Sequence, residues 1–188
     1  INGQWVSPID SRNYKVIDPS NEEPCAEISL GGKKDVDKAV SAAKKAFETW
    51  AFTKKEERLE LLEKLYVIYK KRWAEMAKLI SLEMGAPIKF STEMQAATGA
   101  GHIKSFKQIL KDFKFEKDLG EEKNNQKLLY EPKGVCALIT PWNWPINQVN
   151  LKVIPALASA CTVVLKPSEI APLSSMLLAE MIDEAKFP

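Results

Sequence analysis

The sequence predicts an α/β protein in which amphipathic helices lead into the beginning of a doubly wound parallel sheet. From Val36 to Ile80, apolar residues recur every three or four positions, as they do on the buried faces of helices. Residues 134–185 instead alternate strand-like runs with helix-length segments in the order β-α-β-α, which is typical of parallel sheets covered by helices. Between these regions, residues 113–131 alternate apolar and polar side chains, which predicts a hairpin.

The composition excludes several classes of partner. The 188 residues, 45% of them hydrophobic, can bury a substantial core. The 27 Lys and Arg and 25 Asp and Glu residues give a net charge of +2, which argues against a nucleic-acid or anionic-membrane partner. No stretch has the character of a membrane span or of a signal peptide, so we expect a cytoplasmic protein.

The cysteines and the histidine give no indication of a metal site. Cys25, Cys136 and Cys161 are odd in number, widely spaced and outside any CxxC pattern, which favours reduced, structural thiols over a disulfide framework or a zinc site. The single histidine, His102, cannot form a multi-histidine site. We expect it on a helix surface or in the core.

Turn-forming residues divide the first part of the chain. These residues flank short apolar runs around Tyr14–Ile17 and Ala26–Ser29, which we predict to be hairpin strands. A helical pattern then begins at Val36, with Asp35 available as its cap. An irregular entry segment therefore precedes the first helix.

Three helices are predicted before residue 112. The second begins at Thr53–Glu56, which has the S/T-x-x-E form of a capping box, and continues until Gly85 supplies a stop. The third covers about residues 90–111, with Gly99 and Gly101 as weak points because glycine disfavours helix interiors.

The residue pattern of the second half of the chain predicts a hairpin followed by a βαβα unit. The hairpin turn is expected around Leu119-Gly120 and Asn124-Asn125. Residues 134–140 are continuously apolar, the pattern of a parallel strand buried on both faces. The elements after that strand are a helix at about 146–160, a strand at 162–165 and a helix at 174–185.

The turn after the first strand of this unit lacks the glycines of a common dinucleotide-binding loop. In place of G-x-G-x-x-G stands Thr140–Pro145, two prolines and two tryptophans around Asn143. Proline fixes the backbone, so this turn should be rigid and bulky. The usual glycine-rich way of holding a pyrophosphate is therefore disfavoured.

Two linked motifs resemble the aldehyde dehydrogenase family. Glu131–Val135 followed by Ile139–Pro145 is similar to the family's PxGV strand entry and P-W-N-F-P turn, at the correct separation. A second match comprises Pro155–Ala160 and Thr162–Glu169, with Pro172 close behind. Two signatures in register make coincidence implausible.

Weaker similarities extend the resemblance over nearly the whole chain. Ile1–Val6 is similar to the family's opening strand, Asp18-Pro19 to its early turn, and Leu82–Pro87 to its E-x-G-x-P helix end. Two positions depart from the pattern. Ala160-Cys161 replaces the common Gly-Asn, which affects turn geometry, and Trp144 replaces a Phe, which affects tunnel shape.

The resemblance implies how the chain is divided. Residues 1–112 would form the helical N-terminal part of the cofactor-binding domain, and residues 113–131 a protruding oligomerisation hairpin. Residues 132–188 would begin an incomplete doubly wound parallel Rossmann-like sheet that binds NAD. The catalytic domain would lie outside this chain, and the complete protein would be a homodimer or homotetramer.

The resemblance also assigns catalytic and substrate residues. Asn143 would donate its side-chain N–H to the oxyanion formed when a thiolate attacks the aldehyde carbon. Its place at the carboxyl end of a strand favours this role over turn capping. Trp144, Gln148 and Leu151 would flank the aldehyde tunnel, since helical spacing puts them on one side, although core packing explains the same spacing.

The implied cofactor is NAD, with NADP as the other possibility. Lys166 would hydrogen-bond the adenosine ribose, with Ser168 and Glu169 nearby, whereas the alternative for these residues is a surface turn. A carboxylate such as Glu169 accepts both ribose hydroxyls but repels a 2′-phosphate, which favours NAD. The residues that would line the cofactor cleft are Ile139, Thr140, Pro141 and Trp142.

Family members use a cysteine thiohemiacetal, transfer hydride to NAD, and hydrolyse the thioester with a glutamate base. Neither catalytic residue has a candidate here, because Cys136 and Cys161 do not match the nucleophile's motif. The chain begins without Met and ends soon after a helix, so we expect an inactive fragment. The alternatives are a relative that acylates CoA or acts on phosphorylated semialdehydes, and a truncated, non-catalytic structural or oligomerisation protein.

Overall fold

The computed structural model describes residues 1–120 and 126–188 and has the mixed α/β architecture predicted from the sequence. No helix among these residues is long and apolar enough to cross a membrane. In chain order, the elements are β1 Arg12–Asp18, β2 Glu23–Leu30, α1 Lys33–Trp50, α2 Lys55–Lys71, α3 Trp73–Met84, α4 Ile88–Phe90 followed by a π-helical turn Ser91–Gln95, α5 Ala96–Asp112, β3 Glu116–Asp118, β4 Lys127–Leu129, β5 Val135–Ile139, α6 Pro145–Ala158, β6 Thr162–Lys166 and α7 Leu173–Glu184.

The entry hairpin is confirmed, and the start of the first helix is corrected. Strands β1 and β2 pair antiparallel with an irregularity at Val16/Ile17. Helix α1 begins at Lys33, so Asp35 lies inside its first turn and is not the N-cap residue. The Asp35 carboxylate reaches back and accepts the N–H groups of Gly32, at 2.8 Å, and Ile9, at 2.9 Å.

The predicted capping box of α2 is wrong. The helix begins at Lys55, after Lys54 rather than after Thr53, and has no side-chain cap. The Thr53 hydroxyl instead donates to the Trp50 carbonyl at 2.7 Å and accepts from Arg58 at 3.1 Å. A tertiary contact explains the difference. Arg58 is buried and also donates to the Ala158 carbonyl of α6, so the Thr53 hydroxyl is used as a hydrogen-bond partner of Arg58.

The long helix predicted to end at Gly85 is two helices. It breaks at Arg72, whose guanidinium binds Glu75 at 2.7 Å and Glu180 of α7 at 2.7 Å. Glu180 lies more than a hundred residues away along the chain, so a local pattern cannot indicate this break. Gly85 ends α3 in the left-handed conformation, φ +73°, as predicted.

The predicted third helix is interrupted, but not at its two glycines, because α5 runs through both Gly99 and Gly101. A π-helical turn separates α4 from α5. Gly99 of α5 lies directly against Tyr69 and Ile146, so that a methyl group there would lie 3.0 Å from Ile146 Cγ1 and even closer to Tyr69. Glycine at this position therefore permits close packing of α5 against α2 and α6.

The middle hairpin forms as predicted. Strands β3 and β4 pair antiparallel from Glu116↔Leu129 to Asp118↔Lys127. The Leu119 N–H donates to the Gln126 carbonyl at 2.8 Å, and Gly120 has φ +93°. The predicted Asn124-Asn125 part of the turn lies outside the described residues. Both short strands expose all their side chains.

The βαβα unit is also confirmed, with one correction. Strands β5 and β6 are parallel, in register from Val135↔Thr162 to Ile139↔Lys166, and the apolar core lies among α2, α3, α5, α6 and α7. Burial of β5 on both faces is not observed, because Ile139 is 71% exposed. Within the described residues β5 pairs with one neighbouring strand, so part of its surface stays uncovered.

A buried carboxylate caps helix α7. Glu83 of α3 is 2% exposed. Its Oε2 accepts the Leu173 N–H and its Oε1 accepts the Ser174 N–H at 3.1 Å. Pro172, the N-cap residue, has no side-chain oxygen to offer. Glu83 therefore satisfies two helix-terminal donors that would otherwise be buried without partners.

We expect Glu83 to make stability depend on pH. Burial raises the pKa of its carboxyl from 4.5 to about 7, so the folded protein holds a proton that the unfolded chain releases. The stabilisation, about 3 kcal/mol, is fully present below about pH 4.5 and is lost as the pH rises to about 7. Urea unfolding across this range should give a flatter pH dependence for Glu83→Gln. An equal slope in both proteins would contradict the assignment.

Candidate functional site

The two signature turns meet at one edge of the β5–β6 pair. The Thr140 N–H, directly after β5, donates to the Lys166 carbonyl at the end of β6, with an N···O distance of 3.3 Å. Parallel sheets bind ligands at the carboxyl ends of their strands. The residues predicted from the two motifs therefore lie at the edge where such a site is expected.

The turn that follows β5 exposes the side-chain amide of Asn143. Pro141, Trp142 and Asn143 are exposed, with Trp142 51% exposed. Helix α6 takes Trp144 rather than Asn143 as its N-cap residue. The Thr140 hydroxyl is buried and has no hydrogen-bond partner in the part of the chain that the structure describes. The turn thus carries an accessible amide three residues after a buried hydroxyl that has no partner among the described residues.

Trp144 holds a conformation that is rare for a residue other than glycine. Its φ is +55° and its ψ is +58°, immediately before Pro145 at the first position of α6. Such a conformation costs about 1–3 kcal/mol and persists only where packing enforces it. The Trp144 ring packs edge-on against Phe90, with ring centroids 5.4 Å apart. This contact fixes the turn that carries Asn143.

Helix α6 presents the predicted tunnel residues along one side. Trp144 and Gln148 are half-buried and joined by the first backbone hydrogen bond of the helix, at 3.1 Å, while Leu151 is 43% exposed. The same side includes Asn147, whose Oδ1 lies 2.8 Å from His102 Nε2 of α5. His102 is therefore half-buried between helices, as expected from the sequence.

Sequence reasoning missed Phe90, His102 and Asn147 as neighbours of the candidate site. Asn147 lies three residues after Trp144, so helical spacing could have identified it. The positions of Phe90 and His102 depend on how α4 and α5 pack against α6, for which the sequence carries no local signal.

The second turn carries an ion pair. Lys166 Nζ lies 2.6 Å from Glu169 Oε2, and both side chains are accessible to solvent. The hydrogen bond from Lys166 lowers the pKa of the Glu169 carboxyl below its ordinary value, so Glu169 is ionised at neutral pH. Ser168 is buried, and its hydroxyl accepts the Ile170 N–H at 3.3 Å, which stabilises the turn.

The described residues at this edge provide one amide donor, one cation, one carboxylate and exposed apolar surface. The two cysteines of the sheet lie elsewhere. Cys136 is the second residue of β5, and Cys161 directly precedes β6. Both are at the amino end of the sheet, so the described part of the edge can bind and polarise a ligand but holds no cysteine nucleophile.

Comparison with known proteins identifies the family. The sequence model of the aldehyde dehydrogenase family matches residues 5–188. Over 189 aligned residues, the chain is 49% identical to 3-succinoylsemialdehyde-pyridine dehydrogenase of a Pseudomonas species. The match covers 100% of this chain and 39% of that protein. The chain therefore spans about two fifths of the length of this relative.

Solved structures agree with this relationship. The crystal structure of an aldehyde dehydrogenase from Bartonella henselae is 57% identical, with a TM-score of 0.96, and the match covers 100% of this chain and 40% of that one. Aldehyde dehydrogenase C from Pseudomonas syringae, crystallised as a mutant with NAD⁺ and octanal, is 41% identical. Its TM-score is also 0.96, and the match covers 100% and 38% of the two chains. The chain belongs to the aldehyde dehydrogenase family.

Proposed function

We propose that the protein carrying this chain oxidises an aldehyde to a carboxylic acid with NAD⁺ as the acceptor. This chain would supply the oxyanion donor and part of the cofactor site. The observation that carries the proposal is the convergence of the Asn143 turn and the Lys166–Glu169 pair at one sheet edge, joined by the Thr140–Lys166 hydrogen bond.

Asn143 would act on the aldehyde oxygen. When a cysteine thiolate bonds to the carbonyl carbon, the electron pair of the C=O bond moves to oxygen, which then carries a negative charge. A fixed amide N–H stabilises that charge more than it stabilises the neutral carbonyl. The left-handed Trp144, held by Phe90, would keep the Asn143 amide in place through the step.

The residues of the edge fit a dinucleotide. Ile139, Thr140, Pro141 and Trp142 would provide backbone and apolar contacts, and the unsatisfied Thr140 hydroxyl would gain a partner. The ionised Glu169, positioned by Lys166, would accept the ribose hydroxyls. NAD⁺, when bound, supplies the hydride acceptor. Ser168 would act by holding this turn, and Trp144, Gln148 and Leu151 would flank the aldehyde.

Replacing Glu169 with glutamine should shift cofactor preference toward NADP⁺. The substitution removes a negative charge that repels a 2′-phosphate but keeps a hydrogen-bonding side chain. We expect the ratio of kcat/KM for NADP⁺ to that for NAD⁺ to rise about tenfold. Steady-state kinetics with both cofactors measure it, and Glu180→Gln, remote from this edge, is the control. An unchanged ratio would argue against a role in cofactor choice.

The remaining features of the whole protein follow the same proposal. The nucleophilic cysteine and the base glutamate would lie outside residues 1–188, so this chain alone would be inactive. Residues 1–112 and 132–188 would belong to the cofactor-binding domain, and the hairpin at 113–131 would join protomers into a homodimer or homotetramer. The protein would act in the cytoplasm.

The test is NADH formation by the complete protein with a panel of aldehydes. Production of NADH together with a carboxylic acid supports the proposal. An acyl thioester formed only with added CoA would indicate a relative that acylates CoA. Activity restricted to phosphorylated semialdehydes would indicate a relative specific for those substrates. The purified 188-residue chain should form no NADH, and turnover by that chain would contradict the placement of the nucleophile.

A further inference from the structure

The cofactor turn, residues 166–172, links β6 to helix α7 and carries the Lys166–Glu169 ion pair. Its start is fixed to the sheet, because the Lys166 carbonyl accepts the Thr140 N–H. Its end is fixed by Glu83 of α3, which accepts the first two N–H groups of α7. Among the described residues, no other side chain from outside this segment hydrogen-bonds to residues 166–174.

The cap of α7 comes from another helix rather than from the chain just before α7. Helices commonly obtain a cap from Ser, Thr, Asp or Asn at their own N-cap position, but that position is Pro172 here. Glu83 is buried and forms no ion pair in the part of the chain that the structure describes. Burial of a carboxyl group is costly and raises the pKa of Glu83 to about 7. In return, this cap ties the start of α7 to α3, which a local cap does not.

The end of α3, where Glu83 lies, is itself fixed by packing. Gly85 ends the helix two residues later, and a Cβ at that position would lie 2.6 Å from Pro19 Cγ, so the turn of the entry hairpin packs directly against it. The next residue, Ala86, is buried, and its carbonyl accepts the Ser81 hydroxyl at 2.7 Å. These contacts hold the Glu83 carboxylate in place, so it can hold the start of α7 in turn.

The Asn143 turn has a different support. Phe90, seven residues after Glu83, packs edge-on against Trp144, which directly follows Asn143. Residues 83–90 therefore contact both signature turns, but through different side chains: Glu83 at the end of the cofactor turn and Phe90 at the Asn143 turn. Loss of the Glu83 cap should consequently affect the cofactor turn more than the Asn143 turn.

We propose that Glu83 is a positioning residue for NAD⁺ binding, which holds the start of α7 so that the Lys166–Glu169 pair keeps the placement that the dinucleotide requires. This inference rests on the proposed function, in which Glu169 accepts the ribose hydroxyls. Glu169 lies four residues before Leu173, so releasing the Leu173 and Ser174 N–H groups from Glu83 lets that end of the cofactor turn move. A turn that occupies several positions binds NAD⁺ more weakly, because binding then has to order it.

The test is Glu83→Gln in the complete protein, at about pH 8 so that the Glu83 carboxyl of the unaltered protein is ionised. Glutamine has the size of glutamate but turns an NH₂ group toward one of the two backbone N–H donors, so one hydrogen bond is lost without a cavity. Fluorescence titration should give a Kd for NAD⁺ that is about five- to tenfold higher, while kcat at saturating NAD⁺ changes less than about twofold. A merely structural role would lower the folded fraction, and thus kcat, with Kd unchanged.

Glu180→Gln is the matched control, because it breaks the other link between the same two helices, the ion pair of Arg72 with Glu180. Glu180 lies in the second half of α7, away from the cofactor turn. The control should therefore leave the Kd for NAD⁺ unchanged. An unchanged Kd for folded Glu83→Gln, or an equal rise for Glu180→Gln, would overturn the proposal.

Hydrogen exchange in the unaltered complete protein tests the same role even if Glu83→Gln does not fold. Bound NAD⁺ should slow exchange of the Leu173 and Ser174 amide hydrogens by about fivefold, since NAD⁺ and Glu83 stabilise the same turn. Equal exchange with and without NAD⁺ would contradict the positioning role. Failure of the proposed function is seen separately: a protein that binds NAD⁺ but forms no NADH would contradict the oxidation, while the Kd ratio still decides the role of Glu83. No binding of NAD⁺ by the unaltered protein would overturn both.

Discussion

Asn143→Ala should lower kcat by about 10²–10³-fold in the complete protein, with little change in NAD⁺ binding. A single preorganised oxyanion donor commonly contributes this much, because it stabilises charge that exists only in the transition state. Asn143 is exposed and lies outside helix α6. Removing its amide therefore deletes a donor without creating a cavity in the core.

Two measurements separate this role from a structural one. Steady-state kinetics give kcat, and fluorescence titration gives the Kd for NAD⁺. Asn147→Ala is the matched control, since it removes an amide one turn further along α6 that is bound to His102. The control should affect kcat much less. Equal kcat for Asn143→Ala and the unaltered protein would exclude the oxyanion role, and a large loss of NAD⁺ binding would indicate collapse of the turn.

The order of elements could be predicted from the sequence because it depends on local periodicity. The parallel strands β5 and β6 and the amphipathic helices follow the spacing of apolar residues. The predicted helix boundaries are wrong where a residue far away in the sequence determines the local structure. Thr53 binds Arg58 instead of capping a helix, and Arg58 is buried where it donates to the Ala158 carbonyl of α6. Arg72 lies at the break between two helices and binds Glu180 of α7. Arg58 and Ala158, like Arg72 and Glu180, are too far apart in the sequence for a local pattern to include both.

The residues of the candidate site could likewise be predicted only where they belong to a continuous motif. The turns around Asn143 and Lys166 could be located because each motif is short and continuous. The edge contact of Phe90 with Trp144 could not, since it depends on how the segment before α5 lies across the start of α6. Gly99 is the clearest case. Its effect on helix propensity is local and unfavourable, but the close contact that requires it is tertiary.

The close packing around Gly99 predicts a large loss of stability when a side chain is added there. Gly99→Ala should lower the free energy of unfolding by about 3–5 kcal/mol. A methyl group at this position would overlap the Tyr69 hydroxyl and press on Ile146, both fully buried. The overlap would also disturb two hydrogen bonds, from Tyr69 to the Ala96 carbonyl at 2.9 Å and from Asn150 to the Gly99 carbonyl at 2.9 Å.

Gly101 supplies the control, because it lies in the same helix with open space around its Cα. Gly101→Ala should raise the free energy of unfolding by about 0.5–1 kcal/mol through helix propensity alone. Urea unfolding of both variants then separates packing from propensity, since the substitutions are chemically identical but should act in opposite directions. Adding Tyr69→Phe to Gly99→Ala removes the atom that the methyl group meets first, so the double variant should recover part of the loss. Similar values for Gly99→Ala and Gly101→Ala would mean that α5 can move away from α2 and α6, and the close packing would not be what requires glycine at position 99.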